Sequence, residues 1–131
     1  MKTKKSVANY EAYYRIFYNW LKLKNEGKTL QSFFDDNYIK TLAIYGMGEL
    51  GRQLYKELQV LNVNILYAID KNAANIEEID GLKIVTPDEK LEKVDAVLVT
   101  PVHFYYEIEK MLDEKGISNV ISLEDVVVYC L

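Results

Sequence analysis

Gly46-Met47-Gly48-Glu49-Leu50-Gly51 is the part of this chain with the clearest chemical content. The pattern G-x-G-x-x-G suits anion binding when a strand precedes it and a helix follows. Gly46 permits a sharp turn off the strand. Gly48 has no Cβ to keep a pyrophosphate away, and Gly51 allows the helix to lie close against the strand. The free amides at the helix start, with the positive end of its dipole, then face the phosphate oxygens. Met47 is expected to cover the ligand, and Glu49 to put a negative charge in the same first turn. Asp70 follows a second β-prone run, with Lys71 beside it. A carboxylate there accepts hydrogen bonds from a ribose diol and repels a 2′-phosphate, which favours NAD over NADP.

Other candidates are sparser. Thr100 ends the run Asp95–Thr100 and Pro101 follows it, at the strand end where open α/β sheets place ligands, and both are expected to wall a cofactor crevice. His103, the sole histidine, lies just beyond them and is a weak candidate acid or base. Tyr106 and Lys110 form a Y-x-x-x-K pair, the dyad in which Lys lowers a Tyr pKa so that the phenolate acts as base. Cys130 is the one cysteine, so no internal disulfide forms. No His/Cys cluster offers a metal site.

These residues need a scaffold, and the hydrophobic rhythm supplies one. Thr41–Tyr45, Val63–Ile69, Leu82–Val85, Asp95–Thr100 and Asn119–Ser122 read as strands. Glu49–Leu61, a segment opened by Thr86-Pro87-Asp88-Glu89, His103–Lys115 and Leu123–Val128 read as helices. Lys71–Asp80 reads as irregular. Strands dense in Val, Ile and Leu, alternating with helices, imply a parallel sheet covered on both faces. The expected fold is α/β: a Rossmann-like three-layer domain of about five strands, over residues 41–131.

Residues 1–40 differ. They hold eight Lys/Arg and four Asp/Glu, whereas the remainder holds eight and sixteen. A helix is expected over 6–26, with Val7, Tyr10, Tyr14, Phe17 and Leu21 on one stripe. Tyr13, Ile16, Tyr18, Trp20 and Leu23 widen it. Gly27 stops the helix, and Thr29 caps a short second one through Asp36. The stripe either packs on the sheet domain or joins copies of the chain into a homo-oligomer. Lys2, Lys4 and Lys5 are expected to be solvated rather than to hold phosphate. The acidic remainder does not suit nucleic acid. The chain has 131 residues; no apolar run approaches the ~20 needed to span a bilayer, and no signal peptide is evident, so a cytoplasmic protein is expected.

From Thr41 to Val127 the chain resembles the Rossmann-like nucleotide-binding domain of bacterial polysaccharide-biosynthesis proteins. In these it precedes the catalytic part of nucleotide-sugar dehydratases and epimerases, or occurs in sugar acyltransferases. The resemblance rests on Ile44–Arg52, Ala68–Asn72, Gly81–Val85 leading to Pro87, Val94–Thr100 and Ile121–Val126. A similar series occurs in the NADH-sensing domain of redox-responsive repressors. The resemblance implies a module for NAD or a nucleotide-sugar, without a complete active site of its own. Two other expectations follow: a small oxidoreductase or epimerase completed by a partner chain, and a structural adaptor with a vestigial site.

Overall fold

The computed structural model describes residues 4–77, 79 and 81–131. Lys2, Glu78 and Asp80, and the side chains of Lys4, Lys5 and Val7, lie outside the described residues. Five parallel strands form one sheet in the order β3-β2-β1-β4-β5. They are β1 Thr41–Tyr45, β2 Asn64–Ile69, β3 Ile84–Val85, β4 Ala96–Val99 and β5 Val120–Ser122. The helices are α1 Lys4–Asn25, α2 Gln31–Asp36, α3 Glu49–Leu58, α4 Tyr105–Glu114 and α5 Leu123–Tyr129.

Alternation along each strand sends side chains to two cores. Leu42, Ile44, Ala96 and Leu98 face one side, where α1, α2, α3 and α5 pack. Ala43, Tyr45, Val97 and Val99 face the other, covered by α4 and by Leu91 and Val94 of the β3–β4 connection. The α/β fold expected from the hydrophobic pattern is therefore present. The β1-α3-β2 and β4-α4-β5 crossovers lie on opposite faces, so the strand order reverses between β1 and β4. That reversal opens a crevice at their C-terminal ends.

One expected helix does not form. Thr86 and Glu89 do make their reciprocal contact, with Thr86 N donating to Glu89 Oε2 at 2.7 Å, but only turns and extended chain follow. Residues 86–95 must cross from β3, past β2 and β1, to β4. The strands are ~4.8 Å apart, and a helix advances only ~1.5 Å per residue against ~3.3 Å for extended chain. The span requires the extended form.

Helix α1 is present, but rotated from the expected stripe. Ile16, Trp20 and Leu23 are buried, and Tyr13 is half-buried against the same core. Tyr10, Tyr14, Phe17 and Leu21 are all exposed. A helix apolar over most of its girth offers several faces, and a specific polar contact selects one. Glu57 of α3 is buried, and its carboxylate accepts from Trp20 Nε1 (2.7 Å), Lys24 Nζ (2.7 Å) and the Leu30 amide (3.1 Å). This junction joins α1 and the following turn to the sheet domain. Helices α1 and α2 thus pack on the sheet through Ile16, Trp20, Leu23, Phe33 and Phe34.

Candidate functional site

The glycine loop sits at the β1/β4 reversal, and its three glycines differ in what surrounds them. Gly46 has φ +98°, and a Cβ there would lie 2.5 Å from Thr100 Oγ1 and 2.6 Å from Pro101 Cδ. Both conformation and space therefore require glycine. A Cβ on Gly51 would collide with the Gly46 carbonyl, the close approach of helix to turn that the motif demands. A Cβ on Gly48 would meet nothing within 4 Å. Gly48 is also the N-cap of α3 and offers no side chain to its first-turn amides. Those amides begin a helix beneath open space.

Three contacts hold the loop. The Gly46 amide donates to the Ile69 carbonyl at 2.8 Å. Thr100, buried at the end of β4, donates from Oγ1 to the Gly46 carbonyl at 2.7 Å. Asp70 accepts from the Met47 amide through Oδ2 and from the Asn72 amide through Oδ1, both at 2.8 Å. The carboxylate expected at a ribose thus also fastens the glycine loop to the end of β2. Each of its oxygens keeps a second acceptor position.

Two hollows meet at Pro101, the residue beside Gly46. On the α1 side a cleft of about 550 Å³ is lined by Gly46, Gly48, Glu49, Leu50, Asp70, Thr100 and Pro101, and roofed by Tyr10, Tyr13, Tyr14 and Phe17. Seven of the residues expected from sequence at a cofactor are brought together there. Its charged side chains are the carboxylates of Glu49 and Asp70. Burial, and then the nearby Glu49 charge, raise the Tyr13 pKa, so this hydroxyl keeps its proton. On the α4 side a cavity of about 700 Å³ is lined by Tyr45, Lys71, Thr86, Asp88, Phe104, Met111 and Lys115, among others, with Pro101 shared between the two. Lys71 therefore lies across the loop from Asp70.

The remaining candidates separate. Met47 is only 2% exposed and packs in the α1-side core, so its side chain does not cover the cleft. His103 is half-buried; its Nδ1 lies 3.3 Å from the Tyr13 hydroxyl, with the rings edge to face. The contact ties α1 to the turn after β4. Tyr106 is 80% exposed and lines neither hollow. The tyrosine next to it, Tyr105, has its hydroxyl 2.7 Å from the Val120 carbonyl and 2.9 Å from Glu109 Oε2, two acceptors for one hydrogen, and its pKa is pushed up to about 12, chiefly by burial. Cys130 is buried, 3.5 Å from Ser32 Oγ. No cluster of metal-ligating side chains exists among the described residues, and no described helix is long and apolar enough to cross a membrane.

Three participants escaped the sequence reading. Glu57 looked like one more surface carboxylate of an amphipathic helix. Tyr13 was one aromatic among many on α1. Tyr45 looked like an ordinary strand residue, and no pattern marks the surroundings of its hydroxyl.

Comparison with known proteins adds one finding. The profile of the C2185-like, N-terminal family matches residues 38–121, which is well over half of the chain and runs from just before β1 into β5. No curated protein and no solved structure gives a significant match.

Proposed function

This chain belongs to the C2185-like, N-terminal family, and we propose that it is a nucleotide-binding module whose glycine loop holds the phosphates of NAD or a nucleotide-sugar. The observation that carries this is the open face of Gly48, at the start of α3 and in the wall of the α1-side cleft, with a second cavity meeting that cleft at Pro101. NAD is the favoured ligand. Both hollows have aromatic residues in their walls, and a dinucleotide has a ring system for each. The α1-side cleft is acidic, which suits the cationic ring of oxidised nicotinamide stacked on tyrosine. Asp70 remains the expected ribose partner through its free acceptor positions.

The resemblance to polysaccharide-biosynthesis proteins suggests the setting: a binding or regulatory unit in nucleotide-sugar metabolism that works with a catalytic partner. The exposed row of Tyr10, Tyr14 and Leu21 supports association with a second copy.

A thermal-shift titration of the whole chain with NAD, NADP and UDP-sugars tests the reading. A ligand at 100 times its Kd adds about 2.7 kcal/mol of stability. Gly48→Val is the matched control: its side chain enters open space, so the variant folds but loses the response. A chain that answers to none of these nucleotides, or a Gly48→Val variant that binds as well as the parent, removes the proposal.

A further inference from the structure

Helix α1 carries two apolar stripes, and the domain uses one of them. Tyr13, Ile16, Trp20 and Leu23 follow steps of three, four and three, and face the core. Beside them Tyr10, Tyr14, Phe17 and Leu21 follow steps of four, three and four, the repeat of a coiled-coil seam. These four and Tyr18 are between 38% and 67% exposed. The rings of Tyr14 and Tyr18 stack on each other, their centres 6.0 Å apart. Five such side chains leave roughly 100 Å² each in water, a strip of about 500 Å², in the range where an exposed apolar patch often has a function. Covering the strip on two copies removes about 1,000 Å² in total, the size at which a specific interface begins. Glu11 and Lys22 border the strip on one side; both are exposed, and neither enters an ion pair among the described residues.

We propose that the strip pairs with the same strip of a second copy, the two α1 helices running antiparallel, and that this pairing braces the roof of the glycine-loop cleft in both copies. The spacing four-three-four reads the same in either direction, so the strip is complementary to itself about a two-fold axis. Tyr10 then lies against Leu21 of the partner subunit, and Tyr14 against Phe17 of the partner subunit. In this register Glu11 comes within two residues, about 3 Å of helix rise, of Lys22 of the partner subunit. A parallel pair would instead set Glu11 level with Glu11 and Lys22 level with Lys22. Tyr10, Tyr14 and Phe17 also roof the cleft, so the second copy backs the very side chains that close it. The pairing stands apart from what the glycine loop binds; its effect on ligand affinity rests on the nucleotide reading.

Sedimentation equilibrium of the whole chain tests the register by exchanging charges. The parent should dimerise. Glu11→Lys and Lys22→Glu should each raise the dimer Kd about five- to tenfold, because each sets like charges together twice across the two-fold axis. The double variant Glu11→Lys/Lys22→Glu should return close to the parent. A parent that is monomeric throughout, or a double variant as weak as the single ones, overturns the inference. With NAD as probe, the dimeric parent should bind about threefold or more tightly than either single variant held as a monomer. Equal NAD affinity in dimer and monomer removes the bracing of the cleft. A parent that dimerises with this charge pattern and binds no NAD upholds the pairing and removes the nucleotide reading alone.

Discussion

The α1-side cleft and the α4-side cavity share Pro101, yet they are built on different principles. The cleft is acidic and roofed by tyrosines, and it depends on a helix outside the family-matched segment. The cavity balances Lys71 and Lys115 against Asp88 and Glu107 in its wall, and it draws on β1, α4 and the loops after β2, β3 and β4, all within that segment. Two flanks of one anion-binding turn can thus differ in charge and in how rigidly they are held. The cavity is fixed by the sheet itself. The roof of the cleft depends on how α1 is docked, through the Glu57 junction, the Tyr13–His103 contact and the buried Ile16, Trp20 and Leu23.

The glycines separate the shared part from the flanks, and they give the largest expected effects. Gly51→Ala sets a methyl against the Gly46 carbonyl, and relief requires moving helix from strand. We expect a loss of about 3 kcal/mol or more in urea unfolding, with both hollows disrupted. Gly48→Ala meets no atom, and its stability should stay within about 1 kcal/mol of the parent. Equal destabilisation by the two would mean that they do not differ in role.

Next in size is Glu57→Ala. It leaves Trp20 Nε1 and the Leu30 amide without their acceptor in a buried place, which costs roughly 2–4 kcal/mol. The comparison becomes sharper if hydrogen exchange then rises along α1 while α4 keeps its protection. Uniform loosening of both would show that the two flanks share one cooperative unit.

A smaller effect is expected from Leu21→Glu on the exposed row of α1. Stability should change by less than about 0.5 kcal/mol, since the side chain is 61% exposed. The mass in light scattering should fall to that of a monomer if this row joins two copies. An unchanged oligomeric mass excludes this face as the joint. Deleting α1 would be a poor substitute, because it strands Glu57.

The smallest effect concerns the opposite edge of the sheet. Asp95 accepts from the amides of Lys40 and Thr41 at 2.9 and 3.0 Å, and these bonds hold its pKa below the ordinary carboxylate value. A depressed folded-state pKa gives stability that is present above the unfolded pKa of ~3.9 and lost as pH falls through the folded value. Asp95→Asn should therefore lower stability near neutrality and flatten the profile below about pH 4, where parent and variant converge. Identical acid limbs for parent and variant would refute the assignment.

Much of this molecule was legible because local rules act on short stretches. The Thr41–Tyr45 strand was read with the bounds it has, since Gly46 ends it by conformation alone. The parallel sheet followed from near-continuous apolar strands. The separate roles of Gly46 and Gly51 followed from the motif, because its spacing dictates turn and close approach. The Thr86 helix failed as a reading because its capping pair forms locally, whereas the distance to β4 is a property of the sheet. The α1 stripe failed because a helix apolar on most sides does not encode which side is buried.

The sequence alone, then, determined the sheet, the crossover rhythm and the glycine loop, each specified by contacts between neighbours in the chain or by conformations only glycine adopts. The tertiary structure decided which face of α1 looks outward, that Asp70 fastens the loop through the Met47 amide, and that Tyr45 buries a hydroxyl with no partner among the described residues. Each of these depends on groups brought together from distant parts of the chain: Glu57 with Trp20, Asp70 with Met47, and β1 with α4. Burial and pairing at such meetings are properties of the packed space, and no run of residues carries them.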